Sequence, residues 1–125
     1  LACMSLSPKG IYRWYASCCN TPVGNTPRNP AMSYVGLVRT CLDAPPETLD
    51  RELGRSHMTA NRASACGPTS ATPVATLLGV ARIGGALVKA RLSGSCRDNP
   101  FFDAAGAPIR TPRVLSKEER AAVTR

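Results

Sequence analysis

The stretch Ser7-Pro8-Lys9-Gly10-Ile11-Tyr12-Arg13-Trp14-Tyr15 decides the architecture of this chain. Pro at the second position and Gly at the fourth make Ser7–Gly10 a turn. Ile11–Tyr15 is dense in aromatic and β-branched residues and alternates crudely in polarity, the signature of a strand with one covered face. A turn entering such a strand predicts a hairpin in which residues 1–6 pair with residues 11–16. After it, Asn20-Thr21-Pro22-Val23-Gly24-Asn25-Thr26-Pro27-Arg28-Asn29-Pro30 carries three prolines and a glycine. Each proline removes a ladder donor, so no regular interior strand is expected here. Strand character returns in Met32–Val38, with Gly36 a candidate bulge.

Further along, residues 43–72 read as a polar connector. Asp43-Ala44-Pro45-Pro46 breaks the preceding strand, Thr48–Leu53 suits one helical turn, and the sole histidine, His57, stands in a segment without sustained periodicity. A solitary loop histidine is ordinarily solvated or a simple hydrogen-bond partner. Residues 73–92 form the clearest helix, with Thr72 as N-cap, Pro73 at the first position and Gly94 as a stop. Arg82, Gly85, Lys89 and Ser93 share one stripe, and Val, Leu, Ile and Ala cover most of the rest. The two charges inside the span argue against a bilayer crossing, because a central charge costs about 2.5–3.5 kcal/mol on insertion. A buried packing helix is expected, with a membrane-surface helix as the alternative. Residues 94–115 read as loop, anchored to the core by Phe101 and Phe102. Ser116-Lys117-Glu118-Glu119 is a capping box that opens a short final helix. The expected fold class is therefore α+β: a β-rich domain over 1–42, a connector over 43–72 and a helical tail over 73–125.

Composition narrows the function classes. The 125 residues suit one domain, and an aromatic content of 5% leaves a thin core of small aliphatic residues. A net charge of +8 favours acidic partners in general. The basic residues never form a run of three and lack interleaved aromatics, so nucleic acid is not the expected partner. No phosphate-binding loop, dinucleotide fingerprint, nucleophile elbow or paired carboxylate motif is present. The first residues, Leu1-Ala2-Cys3-Met4, have no initiator Met and no charged n-region. They read as the interior of a longer protein rather than a signal peptide.

Six cysteines, at 3, 18, 19, 41, 66 and 96, lack the dense spacing of a secreted disulfide scaffold, and a reducing cytoplasm is the expected compartment. Cys3, Cys41, Cys66 and Cys96 read as small buried hydrophobes. The adjacent pair Cys18-Cys19 is the one candidate site, inside Trp14-Tyr15-Ala16-Ser17-Cys18-Cys19-Asn20-Thr21-Pro22. Two thiolates on a turn leaving a strand suit half of a zinc knuckle, with backbone N–H groups facing the sulfurs. A structural zinc takes four ligands, so the others must come from elsewhere. Neighbours on a strand face opposite sides, which predicts that only one of the pair ligates readily. The alternative is a pair of ordinary buried thiols at a strand end.

The stretch Ser7–Thr26 resembles the C-terminal zinc knuckle of the glutathione-dependent formaldehyde-activating family, which includes the centromere protein V proteins. In that family an aromatic residue precedes Cys-x-x-Cys-Gly-Thr. The likeness places Cys19 on the second knuckle cysteine, Thr21 on the threonine and Asn20 on the glycine. Ala16, which cannot bind metal, falls on the first cysteine, and Cys18 substitutes as a ligand only if the turn rearranges. The resemblance implies a β-rich zinc fold, zinc as cofactor, glutathione or a thiol adduct as ligand, and carbon–sulfur lyase chemistry. The family's other metal segments, Cys-x-Cys and Cys-x-Cys-x-x-Cys, are not among these residues, so they are expected upstream of Leu1. The competing class is a non-catalytic basic module presenting Arg28, Arg39, Arg82 and Lys89 to an acidic partner.

Overall fold

A computed structural model describes residues 1–54, 73–95 and 98–123. The predicted hairpin is its centre. Strand β1 (Ala2–Ser5) pairs antiparallel with β2 (Tyr12–Tyr15), in the register Ala2↔Tyr15, Cys3↔Trp14 and Met4↔Arg13. The turn closes through the Gly10 amide, which donates to the Ser7 carbonyl at 3.0 Å. β3 (Pro22–Thr26), β4 (Gly36–Leu37) and β5 (Arg113–Val114) complete a five-stranded sheet in the order β4-β3-β2-β1-β5. β5 runs parallel to β1, so the sheet is mixed. With α1 (Pro46–Leu53), α2 (Pro73–Ser93) and α3 (Lys117–Val123), the chain has an α+β fold.

β3 overturns the expectation that residues 20–30 hold no interior strand, since it lies between β2 and β4. The residues that argued against a strand are accommodated individually. Pro22 begins the strand and pairs with Tyr15, where the register slips between Trp14 and Tyr15, so its missing donor falls at an irregularity of the ladder. Pro27 follows the last strand residue. Gly24 is required by close approach: a Cβ there would lie 2.9 Å from the Gly36 carbonyl oxygen of β4. The strand expected over Met32–Val38 is reduced to the two residues facing that glycine.

Alternation puts Cys3, Ser5, Tyr12, Trp14, Gly24 and Thr26 on one face of the sheet, and they are buried. Trp14 is 1% exposed, and its indole N–H donates to the Thr26 hydroxyl at 2.9 Å. Phe101 packs on the Trp14 ring at a centroid distance of 4.9 Å, and Phe102 on Tyr12 at 6.1 Å. The expectation that these two phenylalanines anchor the 94–115 segment is met. That segment does more than loop, because it also supplies β5 and a bridge between Phe102 and Pro108. The capping box forms as read: Glu119 receives the Ser116 amide at 2.9 Å, and the Ser116 hydroxyl receives the Glu119 amide at 3.2 Å. Glu119 also pairs with Arg113 of β5, which links α3 to the sheet edge.

Arg28 is built into this unit. Its guanidinium donates to the carbonyls of Gly10 (2.7 Å) and Ser7 (3.4 Å) and to the Tyr12 hydroxyl (3.1 Å), and lies 4.6 Å from the centre of the Tyr12 ring. It staples the hairpin turn to the segment after β3.

The described residues fall into two compact units, Leu1–Leu42 with Ala90–Arg125, and Asp43–Lys89. In the second unit, α1 contains the turn expected over Thr48–Leu53. Its Pro46 stands in the first turn and Gly54 follows its end at φ 79°. His57, Cys66, Cys96 and the expected cap Thr72 lie outside the described residues. α2 has the predicted length but not the predicted environment. Gly79 is its one buried residue among those described, whereas Leu77, Leu78, Val80 and Val88 are exposed. By length and composition it is apolar enough to cross a membrane. The buried packing face expected from sequence is not seen among the described residues.

Two outcomes are expected. Thr26→Val keeps the shape of the buried position but strips the indole of its acceptor, and should lower unfolding free energy by about 1–3 kcal/mol in denaturant titration. Leu78→Asp, at a position 61% exposed, should change it by no more than about 0.5 kcal/mol.

Candidate thiol knuckle

β2 ends at Tyr15 and β3 begins at its partner Pro22, so the residues between them must reverse the chain in a short arc. They do so by two backbone bonds. The Asn20 amide donates to the Ala16 carbonyl at 2.8 Å, and the Ala16 amide donates to the Thr21 carbonyl at 2.9 Å. Closing so small a loop needs a left-handed residue, and Asn20 supplies it at φ 57°, the one non-glycine with positive φ among the described residues. Asn tolerates this region better than other residues with a Cβ.

Ser17, Cys18 and Cys19 ride on the outside of this arc. Both thiols are exposed, which overturns the alternative of buried thiols at a strand end. They sit on the turn and not in β2, so strand alternation does not separate them: the two sulfurs are 3.6 Å apart. The strand geometry from which only one of the pair was expected to ligate readily is therefore absent at these two residues. Thr21 Oγ1 lies 3.0 Å from Cys19 Sγ. The Thr21 hydroxyl and its backbone N–H, with a lesser contribution from the Cys18 thiol, favour the thiolate and hold the Cys19 pKa below the ordinary thiol range. Sequence reasoning placed Thr21 in the motif without giving it this task. Only the closed turn brings its hydroxyl back onto the sulfur two residues earlier.

The other described cysteines are different. Cys3 is buried on the covered face of the sheet, and desolvation pushes its thiol up against a smaller opposing pull from Arg28. Cys41 is half-buried, with its sulfur 3.8 Å from the Val23 carbonyl oxygen. Neither joins the pair, and the described residues contain no group of three or more His, Cys, Asp or Glu able to hold a metal ion. The knuckle borders an open cleft of about 450 Å³, lined by Asn20 and Pro22 together with Met4, Arg13 and Asn25. A larger cavity of about 630 Å³, lined by Arg91, Asn99, Phe102 and Asp103 among others, includes neither thiol.

Zinc can be tested against the pair itself. Four sulfurs about 2.3 Å from one zinc in a tetrahedron are separated by about 3.8 Å. Cys18 and Cys19, at 3.6 Å, are spaced as two thiolates of one such site. The pair therefore fits half of a zinc site, and the described residues do not supply the other half.

Fold and site together define an α+β chain with a mixed sheet and an exposed dithiol knuckle after its second strand. The chain belongs to a family of unknown function, DUF6151, whose model matches residues 1–111. No curated protein and no solved structure matches the chain.

The lowered Cys19 pKa has a direct consequence. Alkylation of Cys19 requires thiolate, so its rate should rise with pH earlier than for an ordinary thiol. Thr21→Val removes the hydroxyl donor and should move that rise to higher pH, slowing alkylation at neutral pH. An unchanged profile, followed by peptide mapping, would show that Thr21 does not set the reactivity.

Proposed function

We propose that the knuckle is part of a structural zinc site, in the manner of the formaldehyde-activating family it resembles, with its remaining ligands upstream of Leu1. The observation that carries this is the pair of exposed sulfurs at 3.6 Å, close to the edge of a tetrahedral thiolate site. The donors at Thr21 support it as well, because a ligand must be thiolate and groups that stabilise the anion lower the proton cost of binding. Cys19 is the principal ligand, since it bears those hydrogen bonds and falls on the ligand position of the resemblance. Cys18 is the second.

The reaction of that family, joining or separating glutathione and formaldehyde, requires a further thiolate cluster that these 125 residues do not contain. The turn is accordingly assigned a structural metal and no chemical step, with a reducing cytoplasm as the setting. The rival basic module loses one of its residues, because Arg28 is engaged by Gly10, Ser7 and Tyr12.

Structural zinc contributes on the order of 10 kcal/mol in small domains. In the protein extended upstream of Leu1, Cys19→Ser should therefore lower zinc content and melting temperature together, and Cys18→Ser should lower both to a smaller degree. Residues 1–125 alone should lose zinc on dialysis against a mild chelator. Full zinc retention by both serine variants of the extended protein would refute the assignment.

A further inference from the structure

We infer that Cys19 is a site of thiol–disulfide exchange with small disulfides, and that Cys18 is the thiol that resolves the adduct. The inference concerns the metal-free chain and does not rest on the zinc reading. Three features on the knuckle converge. The Cys19 sulfur is exposed, so a disulfide can approach it in line. The Thr21 Oγ1 stands 3.0 Å from it, a hydroxyl within hydrogen-bond distance of the attacking sulfur. A second exposed thiol stands 3.6 Å away, within reach of the sulfur that would carry the adduct. Accessible cysteines beside a resolving thiol are the ones that exchange reversibly. Cys3 does not meet the first condition, since it is buried.

The chemistry closes without a further reagent. The Cys19 thiolate attacks one sulfur of a disulfide R–S–S–R; the Cys19–S–R bond forms, the S–S bond breaks, and one R–S⁻ leaves. Cys18 then loses its proton to solvent and attacks the Cys19 sulfur, forming the Cys18–Cys19 bond and expelling the second R–S⁻. Two electrons pass from the cysteine pair to the small disulfide, which ends as two thiols after taking up two protons. The product bridges neighbouring residues. Their α-carbons are about 3.8 Å apart across a trans peptide, whereas relaxed disulfides span about 4.4–6.8 Å. The bridge is consequently strained and easily reduced, so the modification is reversible.

The test uses residues 1–125 with a chelator present and hydroxyethyl disulfide as the probe, followed by peptide mass mapping. The wild-type chain should show a peptide containing Cys18 and Cys19 that has lost two hydrogens, restored by brief treatment with a dithiol. Cys18→Ser should instead accumulate a stable hydroxyethyl adduct on Cys19. Cys19→Ser should gain adduct on Cys18 at least severalfold more slowly. A stable adduct on Cys19 in the wild-type chain would overturn the resolving role of Cys18. Equal rates of capture in the two serine variants, or no modification of this peptide, would overturn the assignment of Cys19 as the exchanging thiol. Both variants replace exposed side chains on a turn, and circular dichroism of each against the wild-type chain, with the chelator present, checks that the fold is kept.

Discussion

The hydrogen bond from the Trp14 indole to the Thr26 hydroxyl is the constraint on which the rest of the sheet depends. A tryptophan fully removed from water cannot leave its N–H unpaired without losing a large part of what its burial contributes. The acceptor must come from β3, which fixes the register of β2 against a strand rich in proline and glycine. The same indole offers its ring to Phe101, and Tyr12 beside it takes Phe102, so a segment distant in sequence is held by two aromatic contacts. In a chain with so few aromatic residues, these four rings make up most of the buried core. Arg28 closes the arrangement by covering Tyr12 and binding the hairpin turn.

How legible all this is in the sequence depends on the range of the interaction. The first hairpin and its turn, the capping box of α3 and the span of α2 rest on local chemistry, and each was readable from a few consecutive residues. β3 was not, because Pro22 and Gly24 carry opposite meanings in isolation and in place. Isolated, they argue against a strand. Paired with β2 and β4, they mark a slip in register and a close backbone approach, two contexts that only the partners reveal. β5 escaped for a related reason: two residues, Arg113 and Val114, pair in parallel with a strand at the opposite end of the chain. For α2, the periodicity gave the helix and its polar stripe, but a helix apolar on most of its surface carries no record of what surrounds it.

The knuckle was half legible. Asn is the residue with a Cβ that best suits a left-handed conformation, and Asn20 adopts one. The relation between the two thiols is not legible, because strand alternation holds only as far as Tyr15, where β2 ends. Charge was legible only in sum. The excess of arginine suggests a surface for an acidic partner, yet Arg28 serves hydrogen bonding and ring stacking inside the fold, and Arg113 pairs with Glu119. A guanidinium's planar donors suit such internal work better than an ammonium would.

The hydrogen bonds that ready Cys19 for one role ready it for the other, and this links its two proposed chemistries. Donors that stabilise the thiolate lower the cost of deprotonation for metal binding and raise the fraction of sulfur able to attack a disulfide. They also reduce the intrinsic nucleophilicity of that sulfur, since part of its charge is already spent on the donors. The balance is decided by occupancy. A thiolate bound to zinc has shared its lone pair and is a poorer nucleophile than the free anion, so exchange belongs to the metal-free knuckle. The strained bridge that exchange creates, in turn, removes both sulfurs from the ligand set. Each state of the turn thus excludes the other, and both are held in place by a sheet whose register is set by one buried indole.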